Sequence, residues 1–328
     1  MRRNNLPWTM VLWVVLVVSF EFFDRDAQSQ SYPSRPLRLV VPYPPSGAND
    51  TIARLIGPKV SQTLGQSLVI DNRGGANTII GTELVAKADP DGYTLLIVAA
   101  GHTVNPALYP KLPYNTEKDF TEVVLIGDGA YVLVTHPNSG FNSLSELIAI
   151  AKAKPGELLY ASSSIGNLTH LAAELFNSMA GIKMLHVPYK GGGPAMLDVL
   201  GGRIPIYFST VAVARPQIYS GKVKALGVTT AHRSAALPNV PTINEAGLPG
   251  YELSGWYGIV APAKTPPLMI EILNQRIRDV LRQSAIKDKL MDSGVEATDQ
   301  PAAFFAKRIH AELLKWEKVL KPLAIKPE

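Results

Sequence analysis

The stretch LRLVVPYPPSGANDTIARLIGPKVSQTLGQSLVIDN, residues 37–72, decides the fold class. Its first five residues, 37–41, are a short apolar run with branched side chains and read as a strand. A proline-rich turn follows, then a helical pattern over 49–64 and a second strand over 67–71. Strand, helix and strand in so short a span are the signature of a βαβ unit in an α/β protein with mostly parallel sheets.

Outward from that unit the same alternation continues. A helix is expected at 78–87 and a strand at 93–99, before a stretch rich in Pro, Asn and Tyr from 102 to 120. The rhythm resumes with a strand at 131–136 and a helix at 144–152, opened by the capping box Ser143-x-x-Glu146. Strands at 158–162, 183–189, 204–208 and 223–229 then alternate with helices at 168–179 and 194–200. Beyond a strand at 256–261 the chain turns helical and amphipathic, at 267–283, 285–292 and 301–320, and helices this long need a body to pack on. One economical arrangement is two α/β lobes: residues 33–134 with 255–328 form the first and 135–254 the second. The crossings near Val134 and Gly255 then form a hinge, and no internal repeat or flexible linker interrupts the pattern.

Composition bounds what such a molecule does. Apolar residues make up 46% and charged residues 18% of 328, enough for a packed core in one large domain or two ordinary ones. The net charge of +5 is spread without a Lys/Arg run, which argues against a nucleic-acid partner. The absence of cysteine excludes disulfides, thiolate metal sites, cysteine nucleophiles and lipidation at a signal-peptide cysteine. The six histidines show no i, i+4 pair and no His-Glu-x-x-His motif, so neither a metal nor another cofactor is expected. Residues 1–30 carry Arg2 and Arg3, an apolar run from Pro7 to Phe20, and small residues around Ala27 and Ser29. That order reads as a cleaved signal peptide, the run being shorter than the roughly 20 residues a membrane-spanning helix needs.

In open α/β sheets a ligand lies beyond the carboxyl ends of the strands, where helix N-termini offer free N–H groups to an anion. The loop Pro42 to Asp50 is stiffened by prolines, and Asn49 or Asp50 can cap the following helix; it reads equally as a rigid turn or as an anion site. The loop Ser162-Ser163-Ser164-Ile165-Gly166-Asn167-Leu168-Thr169-His170 concentrates hydroxyls and backbone donors beyond what a helix cap requires. The run Lys190-Gly191-Gly192-Gly193-Pro194 can cradle an oxyanion but lacks the spacing of a nucleotide loop. A catalytic alternative stays open: Ser162 to Gly166 resembles a nucleophile elbow, with Asp198 and His232 or His310 in the chain order a hydrolase uses.

Seven stretches in order carry a resemblance. They are Tyr43 to Asp50, Asp71 to Ala76, Val85 to Leu96, Asn105 to Tyr109, Ser164 to Phe176, His186 to Gly191 and Leu237 to Thr242. In these the chain resembles the tripartite tricarboxylate transporter substrate-binding proteins, the Bug family of periplasmic receptors, from about Pro36 to beyond Gly294. The resemblance implies a type II periplasmic-binding-protein fold whose two α/β lobes are joined by a hinge, with the ligand cleft between them. It also implies a small organic acid as ligand and the subunits of an inner-membrane transporter as partners, the receptor being a periplasmic monomer and not an enzyme. The family pincers a carboxylate with main-chain amides and hydroxyls. Carried over, its ligand set is Tyr43, Ser46, Ala48, Asn49 and Asp50 on the first lobe, and Ser162, Ser164, Gly166 and Asn167 on the second, with Thr210 a further addition. Two departures from the family pattern are Ser46, where a glycine is usual, and Asn77 with Thr78 in a stretch that usually holds glycines. A sensor that hands its ligand to a signalling receptor would use the same closure. Trp256 and Tyr257 are read first as hinge or core residues and second as ligand-stacking residues.

Overall fold

The computed structural model describes residues 32–323, and the segment read as a signal peptide lies outside them. Residues from Arg35 onward form one compact unit built on two sheets. The first sheet has the strand order β11-β4-β10-β3-β1-β2: β1 is Leu37–Val41, β2 Leu68–Asn72, β3 Thr94–Ala99, β4 Phe120–Gly129, β10 Gly255–Pro262 and β11 Val295–Ala297. The second has the order β7-β6-β8-β5-β9, with β5 at Tyr131–Thr135, β6 Leu159–Ser162, β7 Leu185–Pro188, β8 Ile206–Thr210 and β9 Lys224–Val228. Helices follow the strands: α1 Ala48–Leu64, α2 Ile79–Ala86, α3 Gly101–Leu108, α4 Leu144–Ala153, α5 Leu168–Ala180, α6 Gly192–Leu200, α7 Val211–Tyr219, α8 Pro267–Leu281, α9 Ser284–Asp292 and α10 Ala302–Leu323.

The sheets are mixed, where mostly parallel ones were expected. β1 pairs in parallel with β2 and β3, but β10 runs antiparallel between β3 and β4. Likewise β6 is parallel to β7 and β8, while β5 is antiparallel to β8 and β9. The strands entered at the two crossings, β5 and β10, are antiparallel to their neighbours, as is the short β11 to β4. β4 ends at Gly129 and β5 starts at Tyr131, so the chain changes sheets at Ala130; the crossing expected near Val134 falls inside β5. The return strand β10 starts at Gly255, directly opposite Gly129 in the antiparallel register. The two passages therefore lie side by side.

Four elements escaped the periodicity: β4, the short β11, and the helices α3 and α7, which contain Pro106 and Pro216 in their interiors. Proline inside a helix removes a hydrogen bond, so both segments read as loops from local propensity and are helical because tertiary packing outweighs that cost. The carboxyl-terminal helix shows how the fold accommodates such packing. Phe305 of α10 is fully buried against Gly258, where an added Cβ would lie 2.3 Å from the ring. Trp256 stacks edge-on against Phe305 at 5.2 Å, and its Nε1 donates to Glu312 of α10 at 2.8 Å. In the second part, α4 opens on Ser143, whose hydroxyl accepts the Glu146 N–H, while the Glu146 carboxylate reaches back to the N–H of Asn142.

Helices α1, α3, α5, α6 and α7 each begin where β1, β3, β6, β7 and β8 end. Their amino ends face the space between the sheets, and that placement makes the site.

Candidate functional site

A cleft with about 660 Å³ of atom-free space, its mouth included, lies where these helices start. On the side of the first sheet it is bounded by the β1–α1 loop. Gly47 precedes α1 in an extended conformation and supplies no side-chain cap, so the first N–H groups of the helix are left to a ligand. Ala48 and Asn49 line the cleft. Asn49 is 5% exposed, and its Oδ1 has no hydrogen-bond partner. Burying an amide oxygen without a partner costs free energy, so a ligand or water in the cleft is its natural complement.

Asp50 faces the other way and holds the loop in shape. Its buried carboxylate accepts the Ser46 N–H at 3.0 Å, Asn72 Nδ2 at 3.0 Å and Arg54 Nε at 2.9 Å. Burial raises the pKa of this carboxyl, but these hydrogen bonds and the Arg54 charge outweigh it and leave the pKa below the usual carboxylate value. Asn72 also donates to the Tyr43 carbonyl at 3.2 Å, tying β2 to the same turn. Ser46 takes a left-handed φ of 69° and sits outside the cleft lining.

The β6–α5 loop closes the other side. Asn167 caps α5: its Oδ1 accepts from the N–H groups of Thr169 and His170 and from the Thr169 hydroxyl. Its Nδ2 donates to Ser163 Oγ, and Ser163, Asn167 and Thr169 all line the cleft. Ser162, Ser164 and Gly166 do not. The Ser162 hydroxyl is fully buried between the Ser164 carbonyl at 3.0 Å and His186 Nε2 at 2.6 Å. Ser164 Oγ donates to Asn77 Oδ1 at 2.8 Å, and the Gly166 N–H donates to His170 Nδ1 at 2.9 Å. The rings of His170 and His186 are stacked 3.9 Å apart, and burial lowers their pKa values to about 3 and about 4.

Gly191 to Pro194, at the start of α6, and Thr210, just before α7, complete the second side. The Gly191 N–H donates to the Ser163 carbonyl at 2.8 Å, which fixes the glycine run against the serine loop. Thr210 Oγ1 is buried and has no partner. The remaining wall is aromatic: Tyr43, Tyr131, Tyr207 and Tyr257 line the cleft. Burial pushes the pKa of all four phenols up, that of Tyr207 to about 12, so each stays protonated and can donate a hydrogen bond. Room for two of the rings comes from the crossing glycines: a Cβ on Gly129 would lie 2.6 Å from Tyr257, and one on Gly255 would lie 2.8 Å from Tyr131.

Among the residues that line the cleft there is no Asp, Glu, Lys, Arg or His. What faces the space is a set of helix amino ends, hydroxyls, phenols and two carboxamides. Five helix amino ends at the cleft bring positive dipole ends to it without a formal charge, an arrangement that favours a small anion. Of the residues expected from sequence, Tyr43, Ala48, Asn49, Asn167 and Thr210 line the cleft, whereas Ser46, Asp50, Ser162, Ser164 and Gly166 stand behind it. Tyr131 and Tyr207 line it without having been singled out, and Ser163 and Thr169 line it from the hydroxyl-rich loop though they were outside the ligand set. For one of these the sequence carries a signal, since Gly-x-Tyr recurs at both crossings, as Gly129-Ala130-Tyr131 and Gly255-Trp256-Tyr257. No group of His, Cys, Asp and Glu suited to a metal ion occurs among the described residues.

Comparison with known proteins places this geometry. The family model described as the tripartite tricarboxylate transporter family receptor matches residues 52–325. Protein BugT of Bordetella pertussis is 36% identical over 304 residues, covering 91% of this chain and 92% of that protein. Among solved structures, R. palustris Rpa4515 with adipate superposes with a TM-score of 0.87 at 36% identity, covering 90% of this chain and all of that one. MatC (Rpa3494) from Rhodopseudomonas palustris with bound malate superposes at 0.83 and 32% identity, covering 88% of this chain and all of that one.

Proposed function

Because this chain belongs to the tripartite tricarboxylate transporter receptor family, we propose that it is a periplasmic solute receptor that closes two lobes over a small organic acid. One observation carries the choice of ligand: five helix amino ends meet in a cleft that holds no charged side chain and in which Asn49 Oδ1 and Thr210 Oγ1 lack partners. A carboxylate would accept from the Thr210 hydroxyl and take up the free N–H groups of α1 and α6, while Asn49 Oδ1, an acceptor, would be met by a donor such as a ligand hydroxyl or a water. Adipate and malate in the two neighbouring structures belong to the same chemical class. The contacts on this reading are Tyr43, Ala48, Asn49, Ser163, Asn167, Thr169 and Thr210. Ser46, Asp50, Ser162, Ser164 and Gly166 support them from behind.

The lobes would be the parts built on each sheet, hinged where Gly129 to Tyr131 and the start of β10 lie side by side. The protein would lose its amino-terminal segment on export and act as a monomer, and its liganded form would be handed to the subunits of a membrane transporter. Catalysis is disfavoured by the partners of the serine loop: Ser164 Oγ is bound to an asparagine, and the serine that meets a histidine, Ser162, is fully buried. A thermal-shift screen of the exported form against mono-, di- and tricarboxylates tests the reading. An acid at 100 times its Kd adds about 2.7 kcal/mol to the native state, a rise of several degrees in Tm. No shift from any acid, together with ester turnover abolished by Ser164→Ala, would overturn it in favour of a hydrolase.

A further inference from the structure

Ser164 belongs to the part of the chain built on the second sheet and Asn77 to the part built on the first, yet their side chains are hydrogen-bonded to each other at 2.8 Å. The orientation of the Asn77 carboxamide is decided by a third residue. Its Nδ2 donates to Asn105 Oδ1 at 2.9 Å, and Asn105 Nδ2 donates back to the Asn77 carbonyl at 2.9 Å. Asn105 is 1% exposed and its Nδ2 also reaches Thr78 Oγ1 at 3.2 Å, so it is a fixed anchor. With the amide nitrogen committed to Asn105, the oxygen is presented across the gap as an acceptor for the Ser164 hydroxyl.

The backbone holds this geometry against its own preference. Ala76, Asn77 and Thr78 have φ values of 44°, 49° and 76°, three successive non-glycine residues in the left-handed region. Such strain persists only where the surroundings enforce it, and it concentrates at functional positions. A second contact lies beside the first: Gly166, also left-handed at 73°, sits so close to Leu108 that a Cβ there would fall 2.0 Å from Leu108 Cδ1.

We propose that Asn77, anchored by Asn105, and Ser164 form a direct latch between the two lobes that holds the cleft shut and so sets how readily the bound acid is released. This rests on the two-lobe receptor reading above but assigns these residues no contact with the ligand. They are positioning residues, acting through the arrangement of the lobes. One half-buried hydrogen bond between neutral groups corresponds to a change of about two- to tenfold in the ratio of closed to open forms.

The test uses the unliganded protein, so its outcome does not depend on which acid binds. The chain contains no cysteine, and Lys111→Cys with Lys183→Cys would give two exposed spin-label sites, one on each part. Ser164→Ala and Asn77→Gly should each move the distance distribution toward a second, open population, and the double variant should move it no further than either alone. Asn77→Gly relieves the left-handed strain but also takes the partner from Asn105 Oδ1, so thermal stability is measured beside closure, and Ser164→Ala, which leaves Asn105 intact, must show the same shift. With adipate as probe, release should quicken about two- to tenfold in each single variant. Distributions identical to the parent in both single variants, or additive effects in the double variant, would overturn the latch. An effect on adipate release from Ser164→Ala alone, with Asn77→Gly silent, would instead make Ser164 a ligand contact.

Discussion

Replacing Gly255 with alanine puts a methyl group where the tertiary structure has left room for a ring. The glycine sits at the start of β10, opposite Gly129, with a backbone conformation open to any residue, so the substitution carries no φ penalty. Its Cβ would lie 2.8 Å from Tyr131 Cε2 and 3.0 Å from the phenolic oxygen. Ordinary contact begins near 3.4 Å, so the ring must retreat about 0.6 Å. Tyr131 is 5% exposed, and the free space next to it is the cleft itself. Overpacking of this kind costs roughly 1–3 kcal/mol, and the less flexible unfolded chain returns about 0.4–1 kcal/mol. The expected net loss is about 1–2 kcal/mol, read as a Tm lower by roughly 2–4 °C per kcal/mol. Acid affinity should fall at least about tenfold, equivalent to 1.4 kcal/mol, as the ring enters the binding space. Titration calorimetry beside differential scanning calorimetry checks both numbers. Gly65→Ala is the control: φ there is 69° and an added Cβ meets nothing, so stability should drop by about 1 kcal/mol with affinity unchanged. Parental affinity in Gly255→Ala would refute the claim that the crossing glycines shape the cleft.

Three further outcomes are expected. His102, His170 and His186 have pKa values lowered by burial to about 4, about 3 and about 4, below the unfolded value of about 6.5. The unfolded chain therefore binds more protons in that window. Stability should be full above pH 6.5 and fall by about 1.4 kcal/mol per histidine for each pH unit toward 4, and a Tm profile flat from pH 7 to 5 would contradict buried neutral rings. Asp50→Asn removes the charge that gathers Ser46, Asn72 and Arg54, and should cost about 1.5–3 kcal/mol in denaturant unfolding while weakening acid binding through the displaced loop. Ser143→Ala strips the cap of α4, which is outside the cleft lining, and should cost about 1 kcal/mol with binding unaltered in the thermal-shift assay.

Local pattern was enough for most of the secondary structure and for the loops that carry the site. β1 lies where the branched apolar run predicts it, and α5 starts on Asn167, a cap with two backbone N–H groups on its side chain. What local pattern misjudged were the segments whose conformation depends on distant partners. α3 and α7 contain prolines that argue against helix, and both persist because their buried faces are covered by other parts of the chain. β4 shows no alternation, since the successive residues Val123 to Ile126 are all buried and both faces of the strand are therefore covered.

The division of labour within the site follows the same line. By itself the sequence marked two strand-to-helix loops rich in prolines, glycines and hydroxyls as places for a ligand, because donors at a helix start are a property of the local chain; the small acid was what the family resemblance implied. Only the tertiary structure decided which members of those loops face the cleft. Asp50 turns away because Ser46, Asn72 and Arg54 claim its oxygens, and Ser164 turns away because Asn77, 87 residues distant in the chain, claims its hydroxyl. A side chain's partner is a fact about three-dimensional proximity. Competition for hydrogen bonds between residues remote in sequence leaves no trace in either loop alone.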